Sequence, residues 1–257
     1  MRSGVVLLEE ILQDKRDEIA RLDAKLVRNV RPSARDLRYA IGTGREDTVF
    51  FAELKRQDPW EGAIRADLDF VSMATSLQEA GIGAFVVATE SRHWHGNRDD
   101  LAALERGGVQ VPLLRNDFIL DELQIHDSRR LGADSVFLRP ALLPADRLQS
   151  ALRAARSLHM VAVVLVANGA ELDVALTTDA AIIAISNRDL ESGRIDLSAT
   201  LTLAPRIPTS RSVVSCFGIG SAADVRALRG HVDAICLGTA LLRAGDPVAF
   251  LAELVGA

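Results

Sequence analysis

The chain has 257 residues, of which 48% are hydrophobic and 25% are charged, and its formal net charge is −5 at pH 7. This composition is typical of a globular protein that buries a large core. The negative charge argues against a general nucleic-acid binder, which needs a cationic face. Apolar runs such as residues 161–167 are too short to cross a bilayer, so we expect no membrane partner.

Residues 1–47 have a pattern of their own. Apolar residues recur at helical spacing on either side of a charged stretch, residues 14–18, which predicts an amphipathic helix laid on the domain that follows. These apolar residues are Leu7, Leu8, Ile11, Leu12, Ile19, Leu22 and Leu26. We interpret residues 1–47 as an N-terminal helical extension that either serves packing alone or partly covers a site.

From about residue 48 onward, short apolar strands alternate with amphipathic helices. Near-continuous apolar runs such as residues 181–185 are typical of parallel strands that are covered on both faces. The predicted strands are 48–54, 83–89, 111–115, 135–139, 161–166, 180–186, 212–217 and 234–238. The predicted helices are 68–79, 120–131, 146–159, 171–177, 222–229 and 247–254.

Glycines mark the ends of several predicted helices in this series of strands and helices. Gly81, Gly132 and Gly230 fall where a helix must end before the next strand begins. Eight strand–helix units in one series predict an α/β fold, a (β/α)8 TIM barrel, as a single domain over residues 1–257. The alternative is an open doubly wound sheet, which the missing glycine fingerprint after the first strand disfavours.

The two cysteines, Cys216 and Cys236, lie in late apolar strands and not in surface loops. Because no signal-like leader is present either, we expect a reducing, cytoplasmic location. Cys236 is expected in the core. Cys216 stands at the end of its strand, where it is either a small packed thiol or a group that faces a ligand.

Ligands of such barrels bind on the loops that follow the carboxyl ends of the strands. The side chains just past each strand are therefore candidate site residues. They are Glu53, Lys55, Arg56, Asp58 and Trp60, then Glu90, Arg92, His93, Trp94 and His95, then Arg115, Asn116 and Asp117, and finally Arg139, Ser186, Asn187, Arg188, Asp189 and Cys216. Both tryptophans of the chain fall here, which indicates either a flat apolar ligand or ordinary loop packing.

Glycines in the last two loops suggest a phosphate site. At Gly218, and at Gly238 followed by Thr239, backbone N–H groups can approach an anion at the start of a helix, although turn geometry alone also explains these glycines. His93 and His95 have no third committed ligand, so no metal is expected. We find no cofactor motif and expect no cofactor.

Several segments of the chain follow one another in a recognisable order: residues 11–19, 51–56, 114–119, 185–190 with 196–197, and 215–219. Together they resemble the indole-3-glycerol-phosphate synthase family over nearly the whole chain. Such enzymes close an indole ring on a phosphorylated, anthranilate-derived substrate, with loss of carbon dioxide and water. The resemblance implies that Glu53 is the family's carboxylate, Lys55 its substrate-binding lysine and Arg188 its sixth-strand arginine. Gly218, Gly238 and Thr239 match its phosphate site.

The departures from the family concern proton transfer. By the resemblance, Asn116 replaces a lysine that acts as general acid, and Leu165 stands where a glutamate acts as general base. Neither side chain transfers protons, and each such group contributes about 10²- to 10⁴-fold to the rate. The other replaced positions are Asp58, Trp60, Ser186, Cys216 and Phe217. A carboxylate at Asp58 would repel phosphate unless a cation neutralises it.

Three functions remain open. The preferred hypothesis is a diverged, carbon–carbon lyase-like enzyme of specialised metabolism that acts on an aromatic, anthranilate-like carboxylic acid or a sugar-phosphate conjugate, but not by the standard decarboxylating ring closure. Its catalytic residues would be Glu53, Lys55 and Asn116, and its substrate contacts Arg188, Arg139, Trp60, Trp94, Ser186 and Cys216. The second hypothesis is an inactive homologue that binds a ligand or partner. The third is an authentic tryptophan-pathway synthase with relocated catalytic groups. In each case the ligand is a small anion, and the chain is a monomer or a homodimer.

Overall fold

The computed structural model describes residues 4–23, 25, 30–42 and 48–257, and the side chains of residues 4–7 lie outside this description. Its strands are β1 (Val49–Leu54), β2 (Gln57–Asp58), β3 (Gly62–Ala63), β4 (Ala84–Ala88), β5 (Leu113–Asn116), β6 (Ser135–Leu138), β7 (Val163–Val166), β8 (Ile182–Ser186), β9 (Ser212–Cys216) and β10 (Ala234–Leu237). Its helices are α1 (Gly4–Ala20), α2 (Leu37–Ile41), α3 (Phe70–Glu79), α4 (Asp99–Arg106), α5 (Glu122–Arg130), α6 (Ala145–Ser157), α7 (Gly169–Leu176), α8 (Ser198–Leu203), α9 (Ala222–Leu228), α10 (Thr239–Arg243) and α11 (Pro247–Val255).

Eight of these strands form a closed parallel barrel. Their order is β1-β10-β9-β8-β7-β6-β5-β4, and the barrel closes because β1 pairs with both β4 and β10. The predicted (β/α)8 TIM barrel is therefore confirmed, and the alternative of an open doubly wound sheet is wrong. Each predicted strand coincides with a barrel strand apart from its end residues. The short strands β2 and β3 pair antiparallel in the loop after β1.

Alternate residues of each strand face two separate apolar layers. In β1, Phe50 packs between the strands and the helices, whereas Phe51 lies inside the barrel. Both side chains are almost completely buried. Because both faces of the strands are covered, the strands read as continuous apolar runs and not as an alternation of apolar and polar residues.

Glycines end several helices where the sequence predicts. Gly81, Gly132 and Gly230 have φ angles of +98°, +102° and +77°, which glycine adopts without strain at a Cβ atom. Helix α4 was not predicted, because its charged sequence buries only Leu101 and Leu104. An apolar stripe of this size is too short to produce a clear helical period.

The N-terminal helix α1 packs on the barrel, as its amphipathic pattern predicts, with Ile11 buried. The structure differs from the pattern at Lys15. This residue stands in a charged stretch, yet its side chain is 1% exposed and pairs with Asp117 at 3.0 Å. Of the predicted stripe, Leu26 and the side chain of Leu7 lie outside the described residues. The interpretation of residues 1–47 as an extension of a single barrel domain stays a prediction.

Candidate active site

A pocket opens at the carboxyl ends of the barrel strands and encloses about 480 Å³, counting the part that is open to solvent. The candidate site residues that line it are Glu53, Lys55, Asp58, Trp60, Glu90, Trp94, Asn116, Arg139, Ser186 and Arg188. The other lining residues are Ala88, Phe118, Leu190 and Phe217. Residues separated widely in the sequence thus meet because all the strands of the barrel run in one direction.

Lys55 is the centre of a buried charge cluster in this pocket. Its Nζ lies 2.9 Å from Oε2 of Glu53 and 3.1 Å from Oδ2 of Asp58, and the three side chains are nearly inaccessible to solvent. Burial by itself lowers the pKa of Lys55, but the two carboxylates outweigh it and raise this pKa above its ordinary value. Lys55 is therefore an ammonium ion at neutral pH.

Asn116 is hydrogen-bonded to the same cluster. Its Nδ2 donates to Oε1 of Glu53 at 3.0 Å. The two oxygens of Glu53 are thus occupied by different donors, the amide on one side and Lys55 on the other. The predicted catalytic residues do come together, and their geometry makes Asn116 a group that orients the carboxylate.

An aromatic wall forms one side of the pocket. The rings of Trp60 and Trp94 meet edge to face with centroids 5.8 Å apart, and Trp94 contacts Phe118 at 5.7 Å. Ile11 of α1 packs against the same cluster. The sequence reasoning found both tryptophans but missed Phe118 and Ile11. For Phe118 a signal was present, since it follows closely on Asn116 at the end of a strand.

Arg188 is held by carboxylates of the protein. It forms an ion pair with Glu61, its Nη2 lies 3.8 Å from Oδ2 of Asp58, and its Nη1 donates to the backbone oxygen of Gly193 at 3.0 Å. The Ser186 hydroxyl donates to the backbone oxygen of Arg188 at 2.7 Å and so fixes the loop. A role of Arg188 in anion binding stays a prediction, and such an anion would compete with Glu61.

Arg139, at the end of β6, has no such carboxylate. Among the described residues its side chain has no ion pair and no hydrogen bond, and its Nε is shielded from water. Its guanidinium lies 5.5 Å from the ring centroid of Phe118. Burial lowers the pKa of Arg139 to about 10, so the side chain keeps its positive charge at neutral pH.

Cys216 is not among the residues that line the pocket, and its role as a substrate contact stays a prediction. Its side chain is 0% exposed and packs inside the barrel, in the same apolar cluster as Cys236. A hydrogen bond with the neighbouring Cys216 thiol, together with burial, raises the pKa of Cys236 well above its ordinary value. The pocket is bordered instead by the next residue, Phe217. The Cys216 side chain is enclosed in that apolar cluster beside Cys236, its register partner on β10.

The predicted phosphate-binding residues are not among those that line the pocket, although they lie next to lining residues. A Cβ atom at Gly218 would lie 2.2 Å from Cγ2 of Ile195, and one at Gly238 would lie 2.7 Å from Oε2 of Glu53. Both glycines therefore allow another side chain to approach the backbone closely. Phosphate binding by these glycines and Thr239 stays a prediction.

A second layer of charges supports the pocket. Asp117 follows Asn116 directly, and its carboxylate contacts Nζ of Lys15 at 3.0 Å, Nη2 of Arg115 at 2.8 Å and Oγ1 of Thr89 at 2.6 Å. Burial by itself raises the pKa of Asp117, but the adjacent cations and hydrogen bonds hold this pKa far below its ordinary range. This layer ties α1 to the strand that carries Asn116.

Glu90 lines the pocket and organises the loop after β4. Its carboxylate accepts hydrogen bonds from the backbone N–H groups of Arg92, His93 and Trp94 at 3.0, 2.7 and 3.0 Å. These bonds fix the position of the Trp94 ring. Among the residues that the structure describes, no three His, Cys, Asp or Glu side chains form a group that could hold a metal ion.

Comparison with known proteins gives concordant family matches. A family model described as "Indole-3-glycerol phosphate synthase" matches residues 8–254. The indole-3-glycerol phosphate synthase of Dehalococcoides mccartyi strain CBDB1 is 36% identical over 259 residues, covering 97% of this chain and 100% of that protein. The Geobacillus kaustophilus protein of the same name is 37% identical over 245 residues, covering 93% of each. These names indicate a lyase-type enzyme.

Solved structures show the same fold at low identity. The 3-hexulose-6-phosphate synthase of Salmonella typhimurium matches with a TM-score of 0.66 and 17% identity, covering 81% of this chain and 97% of that one. The tryptophan synthase alpha subunit of Legionella pneumophila matches with a TM-score of 0.62 and 12% identity, covering 87% and 98%. At these identities the likeness concerns the barrel fold alone.

These relatives correct the preferred functional hypothesis. Proteins named indole-3-glycerol phosphate synthase match at 36–38% identity, most of them over nearly the whole chain. The prediction of a different reaction on an anthranilate-like or sugar-phosphate acid was therefore wrong, and the inferred role in specialised metabolism loses its basis. The relatives support the synthase that the sequence reasoning ranked third.

Proposed function

The chain belongs to the indole-3-glycerol phosphate synthase family, and we propose that it catalyses the reaction after which that family is named. In this reaction a phosphorylated, anthranilate-derived substrate closes its indole ring and loses carbon dioxide and water. The observation that carries the proposal is the buried pair of Glu53 and Lys55, 2.9 Å apart, beside an aromatic wall. A proton donor and a proton acceptor thus stand together where a flat ring can lie.

Lys55 is the one lysine of the chain that places its ammonium group in the pocket. The chain contains only three lysines, Lys15, Lys25 and Lys55. Lys15 is engaged with Asp117 in the layer behind the pocket, and the side chain of Lys25 is exposed on the N-terminal extension. Proton donation by an ammonium ion in the pocket therefore depends on Lys55.

Ring closure makes defined demands on these two groups. When the aromatic carbon bonds to the substrate's carbonyl carbon, the carbonyl oxygen becomes a hydroxyl and takes a proton, which Lys55 donates. Carbon dioxide then leaves with cleavage of its bond to the ring, and the electron pair of that bond restores the aromatic ring. Loss of the hydroxyl as water needs a second proton on oxygen, which Lys55 donates after it has taken up a proton from solvent, and removal of a proton from the adjacent carbon. Glu53, held by Asn116 at 3.0 Å, accepts that proton.

This assignment places both roles on β1 and its loop. Asn116 and Leu165 cannot exchange protons, so Glu53 and Lys55 perform the acid–base chemistry as a pair. The raised pKa of Lys55 keeps it protonated before substrate binds. A substrate that displaces Asp58 from Lys55 would lower that pKa again and make proton donation easier.

Turnover of the substrate tests the proposal directly. The purified chain is incubated with the phosphorylated, anthranilate-derived substrate, and indoleglycerol phosphate is followed by its fluorescence and confirmed by mass. We expect product from the natural chain and about a 10²- to 10⁴-fold lower rate for Lys55→Met and for Glu53→Gln. Lys25→Met removes the same charge from an exposed position and should leave the rate unchanged. If the folded natural chain forms product no faster than buffer, the proposal fails.

Other expectations stay predictions: an anionic small-molecule substrate, the absence of cofactor and of nucleic-acid or membrane partners, a cytoplasmic location, and a monomeric or homodimeric state. On the membrane question the structure adds a single finding. None of the helices within the described residues combines the length and the apolar character that a membrane span requires.

A further inference from the structure

Arg139 differs from the other cations of the pocket in having no protein carboxylate. Lys55 pairs with Glu53 at 2.9 Å, and Arg188 pairs with Glu61. Within the described residues the Arg139 side chain forms no ion pair and no hydrogen bond, and the Glu171 carboxylate attracts it only from beyond ion-pair distance. A cation that is partly withdrawn from water without a partner is unfavourable in the empty protein, and an anionic ligand relieves this cost.

The barrel geometry aims Arg139 at the pocket. Phe137, two residues earlier in the chain, packs inside the barrel, whereas Leu138 packs in the outer layer. Alternation along the strand therefore turns Arg139 inward. The register pairs Phe137 with Val163 and Leu138 with Val164, and its continuation places Arg139 beside Leu165.

Leu165 leaves Arg139 without a partner on the next strand. Its side chain is 1% exposed and belongs to the apolar interior of the barrel. A carboxylate at this position would form an ion pair with Arg139 and neutralise it. The apolar residue therefore keeps the guanidinium free for a ligand.

The surroundings of Arg139 favour a flat acid. Its guanidinium lies 5.5 Å from the Phe118 ring centroid, and Phe118 contacts Trp94. A planar guanidinium binds a planar carboxylate through two parallel hydrogen bonds, whereas a phosphate gains less from an adjoining aromatic surface. An aromatic ring that carries a carboxylate satisfies both the cation and the wall.

We propose that Arg139 is the carboxylate-recognition residue of the pocket and binds the carboxylate of an aromatic acid whose ring lies against Phe118 and Trp94. This inference rests on the proposed function, because the substrate proposed there is derived from anthranilate. It adds the residue that distinguishes an aromatic acid from its neutral analogue. It also predicts that the residue at position 165 controls this recognition.

Calorimetric titration with anthranilate tests the proposal without any turnover. Aniline serves as the analogue that lacks the carboxylate, and inorganic phosphate as an anion that lacks the ring. We expect anthranilate to bind the natural chain at least about tenfold more tightly than either, because charged hydrogen bonds contribute about 1.5–3 kcal/mol, or roughly 10- to 100-fold. Arg139→Met should remove this preference, and Arg139→Lys should restore part of it. Arg153→Met, at an exposed arginine of α6, should bind as the natural chain does.

A second pair of variants separates charge from shape. Leu165→Glu should weaken anthranilate binding at least about tenfold, because the new carboxylate pairs with Arg139. Leu165→Gln has nearly the same shape but no charge and should weaken it less. Circular dichroism confirms that each variant is folded. Equal binding by the glutamate and glutamine variants would overturn the proposed role of charge.

The outcomes distinguish this inference from the proposed function. Binding of anthranilate through Arg139 without ring closure would support the inference and refute the proposed function. Ring closure with equal affinity for anthranilate in the natural chain and in Arg139→Met would support the proposed function and overturn the inference. Phosphate that binds through Arg139 more tightly than anthranilate would also overturn the inference.

Discussion

Replacement of Lys15 by methionine tests whether the buried charge layer fastens α1 to the barrel. The Lys15 Nζ lies 3.0 Å from Oδ1 of Asp117 and 2.9 Å from Oε2 of Glu18. Methionine fills a similar volume but carries no charge. The variant therefore removes the ion pair while the apolar contacts of the helix are retained.

The size of the effect follows from burial. The side chains of Lys15 and Asp117 are 1% and 0% exposed, and loss of one member of a buried pair costs about 3–5 kcal/mol. Asp117 keeps Arg115 and Thr89 as partners. We therefore expect the lower end of this range, a loss of about 3 kcal/mol in the free energy of unfolding.

Urea denaturation provides the measurement. Both tryptophans of the chain line the pocket, so their fluorescence reports release of α1, while circular dichroism reports unfolding of the barrel. Arg92→Met is the matched control, because Arg92 also links α1 to the barrel, through Asp14 at 2.8 Å, but its side chain is 62% exposed. We expect no measurable change for this control. If Lys15→Met unfolds within about 0.5 kcal/mol of the natural chain, the reasoning is refuted, since such a change is typical of surface positions.

Two further predictions concern acid stability and backbone strain. Burial opposes the charge of Asp117, but Arg115 and its other partners hold the pKa of this carboxyl far below its ordinary range. The Asp117 carboxylate therefore stabilises the fold fully above the unfolded pKa of about 3.9, and this contribution should fall as the pH drops below about 4. Urea titrations at several pH values measure it, and a free energy of unfolding that stays constant below about pH 4 would contradict the prediction. Gly193→Ala should destabilise by about 1–3 kcal/mol and shift tryptophan emission, because Gly193 has φ +71° and a Cβ there would lie 2.2 Å from Cδ1 of Trp60. Gly62→Ala, at φ +74° with nothing within 4 Å, isolates the backbone strain alone, and equal losses in the two variants would exclude the clash.

The fold was predictable because its signals are local. Each barrel strand is buried on both faces, so it appears in the sequence as a short continuous apolar run. Glycines with positive φ angles, such as Gly81 and Gly132, mark the ends of helices. Of the barrel helices, α4, α8 and α10 were missed, and α4 buries just Leu101 and Leu104. Its stability comes from packing on the barrel, and that packing is not visible in a single segment.

The members of the site were also largely predictable, because parallel strands bring their carboxyl ends together. Glu53, Asn116 and Arg139 follow different strands and do meet in one pocket. Cys216 was expected to line the pocket but is fully buried, since the sequence does not reveal how deeply the last residue of a strand is enclosed by its neighbours. The position of Lys15 could not be predicted from its charged surroundings. Its partner, Asp117, is distant in the sequence and is brought close by the docking of α1.

What the sequence by itself determined is the barrel, the family and the set of groups at the mouth of the pocket. These follow from hydrophobic pattern and motif, which are properties of neighbouring residues. Only the tertiary structure decided which charges are neutralised. Arg188 forms an ion pair with Glu61, whereas the Arg139 guanidinium lies 5.5 Å from the ring centroid of Phe118. Ionic interactions depend on distance and burial, and for residues far apart in the chain both are set by how the barrel closes.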